Sequence, residues 1–284
     1  MRSRFLGPLF VAPAMALILL LLMMPAAYGF YYSLFRIRFL QMTEFIGFGN
    51  YQRLFSDPDL VPIVLRTLVF TASTVTLTLV VAMLLALWID RQTGFLAFSA
   101  QIVVILPWVI SAVVAALLFR WVFVSEIGIG RYLFSLVGVH FDPLSSATSA
   151  MILLIIVSAW RTVGYGLVLL LAGLKGIPTE YFEAARVDGA SGVQIFRFIT
   201  LPMLKTPLLI ATVVLTLSYI NNVETPLVTT AGGPGQATNI LPLDLYSRAF
   251  AQYDFATAIP LAICMFVGNI LLVLGYVRLV GWRA

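Results

Sequence analysis

GLKGIPTEYFEAARVDGASGVQIFRFITLPMLKTP, Gly173 to Pro207, separates two long apolar runs, Ser149 to Ala172 and Leu204 to Pro226. It carries helix signals of its own. Pro178 and Thr179 precede an acidic first turn, Glu180 and Glu183, whose carboxylates complement exposed amide ends. Ala184 and Ala185 propagate the helix. Asp188-Gly189 permits a sharp reversal, because Gly tolerates positive φ. A second short helix is expected from Val193 to Ile199, stopping near Pro202. The segment predicts a helix-turn-helix element between two membrane spans.

The flanking composition explains why those runs are spans. Of 284 residues, 61% are apolar and 10% charged, with a mean hydropathy of +1.03. A soluble domain of roughly 25% charged residues covers its surface with them, whereas a lipid-facing surface must not. A hydrocarbon core of ~30 Å needs about 20 helical residues. Six runs qualify: Pro8 to Phe35, Val61 to Ile89, Phe95 to Phe123, Ser149 to Ala172, Leu204 to Pro226 and Phe255 to Val280. The fold class expected is an all-α integral membrane protein with about six transmembrane helices, 1–284 forming a single transmembrane domain. MRSR and Pro25-Ala26-Ala27 also fit a secretory signal, but the apolar block is longer than a signal core.

Several chemistries are excluded early. The single cysteine, Cys264, lies in an apolar run and reads as core; with one cysteine there is no disulfide framework within the chain. His140 is the only histidine and stands in a loop, which excludes a histidine-based triad and zinc chemistry. No metal site or catalytic residue is expected. The net charge of +5 comes from scattered basic residues, so lipid headgroups rather than nucleic acid are the expected counter-charge.

With the N-terminus inside, the inner pieces hold nine basic residues, Arg2, Arg4, Arg91, Lys175, Arg186, Arg197, Lys205, Arg278 and Arg283. The outer pieces hold seven, Arg36, Arg38, Arg53, Arg66, Arg120, Arg131 and Arg248, together with Glu44, Asp57, Asp59, Glu126, Asp142, Asp244 and Asp254. The bias favours both termini in the cytoplasm, which puts 173–207 there too.

The spacing Glu183-Ala184-Ala185, Gly189, then Ile199, Leu201 and Pro202 resembles the EAA loop of permease subunits in binding-protein-dependent ABC importers. The surrounding IP-x-E, VDGA and ITLP resemble the carbohydrate-uptake branch, of maltose and glycerol-phosphate permease type. GFGNYQRLFSDP at Gly47 to Pro58, LAGLKGIP, and TTAGGPGQAT at Thr229 to Thr238 agree with that branch. The short N-terminal region and the GxxNY segment resemble the first of its two permeases.

The resemblance implies that the cytoplasmic element of about 173–207 docks as a coupling helix on a separate ABC ATPase dimer. Glu183, Ala184, Ala185, Asp188, Gly189, Ile199, Leu201 and Pro202 are the coupling residues it implies. Small residues allow close approach, and Glu183 offers a carboxylate to a basic partner. It further implies a heterodimer with a second permease, an extracytoplasmic solute-binding protein, and the inner membrane of a bacterium or archaeon as location. The cargo implied is a sugar or glycoside, or a glycerol phosphate ester. No GxxxxGK followed by Ser or Thr occurs in the chain, so no cofactor is expected on it, and ATP and Mg belong to the partner ATPase.

Ionisable groups within spans are expensive and ask for a partner or a watery path. Arg161 forms a stripe with Ser158 and Tyr165, beside Trp160 and Gly164; Glu224 closes the fifth run, with Ser218, Asn221, Asn222 and Thr225 on one half of the helix. Two readings stand. Trp160, Arg161, Tyr165, Ser218, Asn221, Asn222 and Glu224 line the substrate pathway, or Arg161 and Glu224 pair and lock helices. Thr67, Thr71, Thr74 and Thr78 form a polar seam for packing or pore lining. Trp88, Trp121 and Trp282 read as interfacial anchors. Gly232-Gly233-Pro234-Gly235 lacks the context of a phosphate loop and is either a flexible turn contacting a delivery protein or a plain tight turn.

A stand-alone secondary transporter predicts conspicuous acids at mid-membrane, whereas the sequence offers Glu224 near one end of a run only; the inverted repeats of many such transporters, often invisible in sequence, are not visible here either. A membrane enzyme needs a paired acid and base or a ligand set, which is also missing.

Overall fold

The computed structural model describes residues 6–38, 41–124, 127–136, 138 and 142–280. Arg2, Arg4, Glu126, His140, Trp282 and Arg283 lie outside the described residues. Among the described residues, four helices are long and apolar enough to cross a membrane: Phe10–Ser33, Leu60–Asp90, Ala147–Lys175 and Phe255–Arg278. Two bent pairs, Gly94–Val109 with Ala112–Phe123 and Gly192–Met203 with Lys205–Ile220, bring the number to six if each is one span. These are spans 1 to 6 in chain order, with the bent pairs as spans 3 and 5.

Both bends correct the expectation of continuous helices. Span 3 turns by 98° at Ile110 and Ser111, both with extended backbone. Pro107 leaves a carbonyl one turn back without its donor, and the β-branched Val109 and Ile110 favour extension. Span 5 turns by 65° at Leu204. Its first half runs through Pro202, where a stop was expected, because that proline lies in the opening turn of a new helical segment after a π turn at Phe196–Thr200.

The fifth run also ends six residues earlier than expected, at Ile220 rather than Pro226. Asn221 donates its side-chain amide to the Leu217 carbonyl at 2.7 Å and ends the helix. Asn222 then accepts from the Thr225 amide at 3.0 Å and organises the start of a separate helix, Glu224–Thr229. Consecutive asparagines stop one helix and start the next, because their short amides compete with backbone partners.

The chain forms two compact units, Met1–Pro62 with Asp244–Leu272, and Ile63–Leu243 with Val273–Ala284. In the first, β1 (Phe35–Arg38) and β2 (Gln41–Phe45) form an antiparallel hairpin, a small addition to the all-α expectation. The helix Gly49–Phe55 follows, and Asn50 ties it back by donating to the Ser33 and Phe35 carbonyls at 2.8 and 2.7 Å. Cys264 is half-buried rather than core.

The second unit packs span 4 among spans 2, 3 and 5. Its core joins Ala82 and Ala86 of span 2 to Leu167, Leu170 and Leu174 of span 4 and to Leu204. Glycines permit the approach: a Cβ at Gly164 would lie 2.7 Å from the Val104 carbonyl, and one at Gly166 would lie 2.9 Å from the Ala82 methyl. The Thr67, Thr71, Thr74 and Thr78 seam is buried, which favours packing. Thr67 donates to the Ile63 carbonyl and accepts from the Leu241 amide at 2.9 Å.

Candidate functional site

The segment between spans 4 and 5 has the expected helix-turn-helix form. Thr179–Val187 is a helix opening on extended Pro178 with Glu180 in its first turn. It closes at Asp188, and Gly189 takes φ +78° while the Ala190 amide donates to the Ala185 carbonyl at 2.9 Å. The second helix starts at Gly192, one residue before the expected Val193, and Ser191 and Gln194 form a capping box. That box was legible as Ser-x-x-Gln in the sequence.

Phe182 and Phe196 pack against the core of the second unit and hold the element to it. The opposite face is bare. Glu183, Ala184, Asp188, Gly189, Leu201 and Pro202 are exposed, and Ala185 and Ile199 are half-buried. Val187 is 88% exposed, Val193 76% and Phe198 68%, an apolar patch that water alone does not favour. A groove of about 270 Å³ runs between the two helices, lined by Asp188, Gly189, Gln194, Ile195, Phe198 and Ile199.

A second cluster surrounds the middle of span 4. Tyr219 of span 5 is buried, and its hydroxyl bonds both Thr162 of span 4 and Thr78 of span 2, the latter at 2.8 Å. Thr162 also donates to the Ser158 carbonyl at 2.9 Å, and Phe70 meets the Tyr219 ring edge-on at 6.1 Å. Sequence reasoning missed Tyr219. Its signal was a phenol in mid-span, which needs a hydrogen-bond partner there.

The sequence-predicted pathway residues divide. Ser158 is buried, with its hydroxyl unpartnered among the described residues, so the Ser158-Arg161-Tyr165 stripe is not one accessible face. Trp160 is exposed and meets Phe119 edge-on at 5.0 Å; Tyr165 is half-buried, its ring tilted 51° to that of Trp108 at 5.5 Å. The break of span 3 at Ile110 and Ser111 lies between Trp108 and Phe119, the residues that pair with Tyr165 and Trp160 of span 4. Ser218, Asn221 and Glu224 are exposed and Asn222 half-buried. They do not share one helix as expected, since the helix ends between Ser218 and Asn221. Arg161 is half-buried, and among the described residues it makes no ion pair with Glu224 or any other carboxylate. Irregular backbone at membrane depth is tolerated where protein buries it or water lines it.

The Gly-rich loop is a self-bonded turn. Thr230 and Thr238 share a hydroxyl hydrogen bond at 2.7 Å, Thr238 donates to the Gly233 carbonyl at 2.9 Å, and the Gly233–Pro234 bond is cis.

In the first unit, an ion cluster escaped sequence analysis because it joins a local group at 244–257 to Asp57 and Arg53, about 190 to 200 positions away. Buried Arg248 donates to Asp244 at 2.7 Å, to Asp57 at 2.5 Å and to the Thr257 hydroxyl at 3.2 Å. Thr257 in turn donates to Asp254, which faces Arg53 at 3.6 Å. Burial alone would push the Asp57 carboxyl up, but the Arg248 hydrogen bond and charge, with the Asp59 amide, hold it below its ordinary value. Burial opposes charge on Arg248 as well, and the two carboxylates outweigh it and push the guanidinium up.

No group of three or more His, Cys, Asp or Glu among the described residues could hold a metal ion. The bent apolar spans, the bare helix-turn-helix and the polar mid-span cluster are those of a transport membrane subunit. Residues 78–281 match the family described as binding-protein-dependent transport system inner membrane component, and the chain belongs to that family. It is a multi-pass inner-membrane permease of the ABC transporter class, not an enzyme.

Its relatives narrow the comparison. The chain is 31% identical over 284 residues to the sulfoquinovosyl glycerol transport system permease protein SmoG of Agrobacterium fabrum, covering 98% of this chain and 91% of the relative. It is 30% identical over 272 residues to the trehalose/maltose transport system permease protein MalF of Thermococcus litoralis, covering 94% and 90%. A bacterial ABC transporter involved in the import of the acidic polysaccharide alginate shares the fold, with a TM-score of 0.80, 20% identity, and coverage of 97% and 95%.

Proposed function

We propose that this chain is one permease of a heterodimeric ABC importer for a sugar or glycoside, working by alternating access. A solute-binding protein delivers the ligand outside, an ATPase dimer holding ATP and Mg closes inside, and the 173–207 element transmits the motion to 1–284 acting as one permease domain. Relatives named for sulfoquinovosyl glycerol and for trehalose and maltose support a carbohydrate-based cargo. The N-terminus lies in the cytoplasm in this reading. Six spans then return the C-terminus to the same side and put 173–207 there after span 4.

The observation that carries the coupling role is the exposed apolar face of the helix-turn-helix, with Val187, Val193 and Phe198 bare beside the groove at Asp188 and Gly189. A second protein surface covers such a patch favourably. The substrate pathway runs past Trp160, Arg161 and Tyr165 and past the break at Ser218, Asn221, Asn222 and Glu224. Hydroxyl, amide and aromatic groups suit sugar hydroxyls and rings.

Ala185→Trp tests the coupling. In the assembled transporter in proteoliposomes, ATP-dependent uptake is expected to fall at least about tenfold, equivalent to ~1.4 kcal/mol of lost docking, while the chain remains at normal abundance. Full uptake with the indole in place would refute docking by this face.

A further inference from the structure

We propose that the solute carried past span 4 bears an anionic group, a carboxylate, sulfonate or phosphate ester on a sugar or glycerol frame, and that Arg161 reads it. This rests on the importer reading above. Arg161 is the middle residue of Ala147–Lys175. At 1.5 Å rise per residue it stands about 21 Å from either end of that helix. Guanidinium does not give up its proton in a protein, so the charge persists and needs an anion or water.

Among the described residues, no carboxylate pairs with Arg161. Within the six spans the acidic residues reduce to Asp90, the last residue of span 2. Glu224 lies beyond the end of span 5 and makes no ion pair with Arg161 among the described residues. The neighbours are hydroxyls and aromatic rings. Thr162, next in sequence, is spent on Tyr219 and Ser158. The ring pairs Trp160 with Phe119 and Tyr165 with Trp108 stand one residue before it and one turn after it along span 4.

A half-buried guanidinium with no carboxylate partner among the described residues is open to an anion from outside the chain. Lipid phosphate does not fit, because headgroups bound a hydrocarbon core of ~30 Å and lie about 15 Å from its middle. A passing solute fits both parts. Arg presents a planar fork that matches carboxylate, sulfonate and phosphate oxygens, and the rings suit a pyranose face.

The complete transporter, with its second permease, ATPase and binding protein, is reconstituted in proteoliposomes and offered five probes. Maltose and trehalose are neutral; a uronate oligosaccharide, sn-glycerol 3-phosphate and a sulfonated hexosyl glycerol are anionic. The expected result is ATP-dependent uptake of an anionic probe, which Arg161→Gln lowers about ten- to a hundredfold, the change produced by losing a charge-assisted hydrogen bond. If Arg161→Gln does not accumulate, Arg161→Lys decides: it keeps the charge and is expected to retain preference for the anionic probe. Loss of that preference in the lysine variant, or anionic uptake unchanged in the glutamine variant, overturns the proposal. Uptake of neutral probes alone overturns it while leaving the importer reading intact. No ATP-dependent uptake of any probe overturns both.

Discussion

Replacing Arg248 by Met removes one guanidinium from between two carboxylates and keeps most of the side-chain volume. The Arg248 side chain is 9% exposed, with Asp244 at 8% and Asp57 at 24%. Water cannot easily replace the guanidinium at Asp244, so the substitution takes a charged partner from a buried carboxylate; Asp57 rehydrates in part. Breaking a buried pair from one side costs about 3–5 kcal/mol, and partial hydration of Asp57 argues for the lower end. For a chain of this size that corresponds to a fall of roughly 6–12 °C in the thermal midpoint.

The pH dependence gives this prediction its sign. The Asp57 carboxyl is held below its ordinary value in the folded protein, so its contribution is complete above the unfolded value near 4 and fades as pH falls through the folded one. Arg248→Met removes the group that holds it down. Thermal unfolding of purified wild type and variant in detergent between pH 7.5 and 3.5 is therefore expected to show the widest gap at neutral pH and a narrowing gap below about pH 4. An Arg248→Met midpoint within 2 °C of wild type at neutral pH, or a gap that does not change with pH, would show that the cluster contributes no net stability.

Tyr219→Phe keeps the ring packing but strips Thr78 of its tyrosine partner, while Thr162 retains the Ser158 carbonyl; a loss of about 1–2 kcal/mol is expected in detergent unfolding. Gly164→Ala drives a methyl to 2.7 Å from the Val104 carbonyl and 2.8 Å from the Ile105 Cα, backbone atoms that yield poorly, so roughly 1–3 kcal/mol should be lost and measured the same way. Gly189→Ala meets no atom within 4 Å but sits at φ +78°; its cost of about 1 kcal/mol is expected locally, as faster amide exchange across Thr179–Val187 rather than as a lower global midpoint. Ser191→Ala removes the capping box and should similarly loosen Gly192–Ile195, by about 1 kcal/mol.

The parts legible in advance are those written in neighbouring residues. Spans 2, 4 and 6 appear within a few residues of their expected limits, because the length of an apolar run is a local property. Thr179–Val187 and the reversal at Asp188-Gly189 follow from an acidic first turn and a glycine, again a matter of adjacent residues. The break of span 3 was harder to read. Pro107 was visible, but an extended Ile110 and Ser111 inside an apolar run persists only with tertiary support. The end of span 5 at Ile220 is partly visible in Asn221-Asn222, a pair whose amides equally suit polar lining.

By itself, then, the sequence determined a lipid-embedded chain, its approximate spans, the helix-turn-helix of 173–207 and the lack of a P-loop. Only the tertiary structure decided which polar groups meet. Thr78, Thr162 and Tyr219 come from three spans, and Asp57 reaches Arg248 across 191 positions. The physical reason is range: helix signals act over about one turn, whereas the partner of a buried hydroxyl or charge is set by packing of segments far apart in the chain.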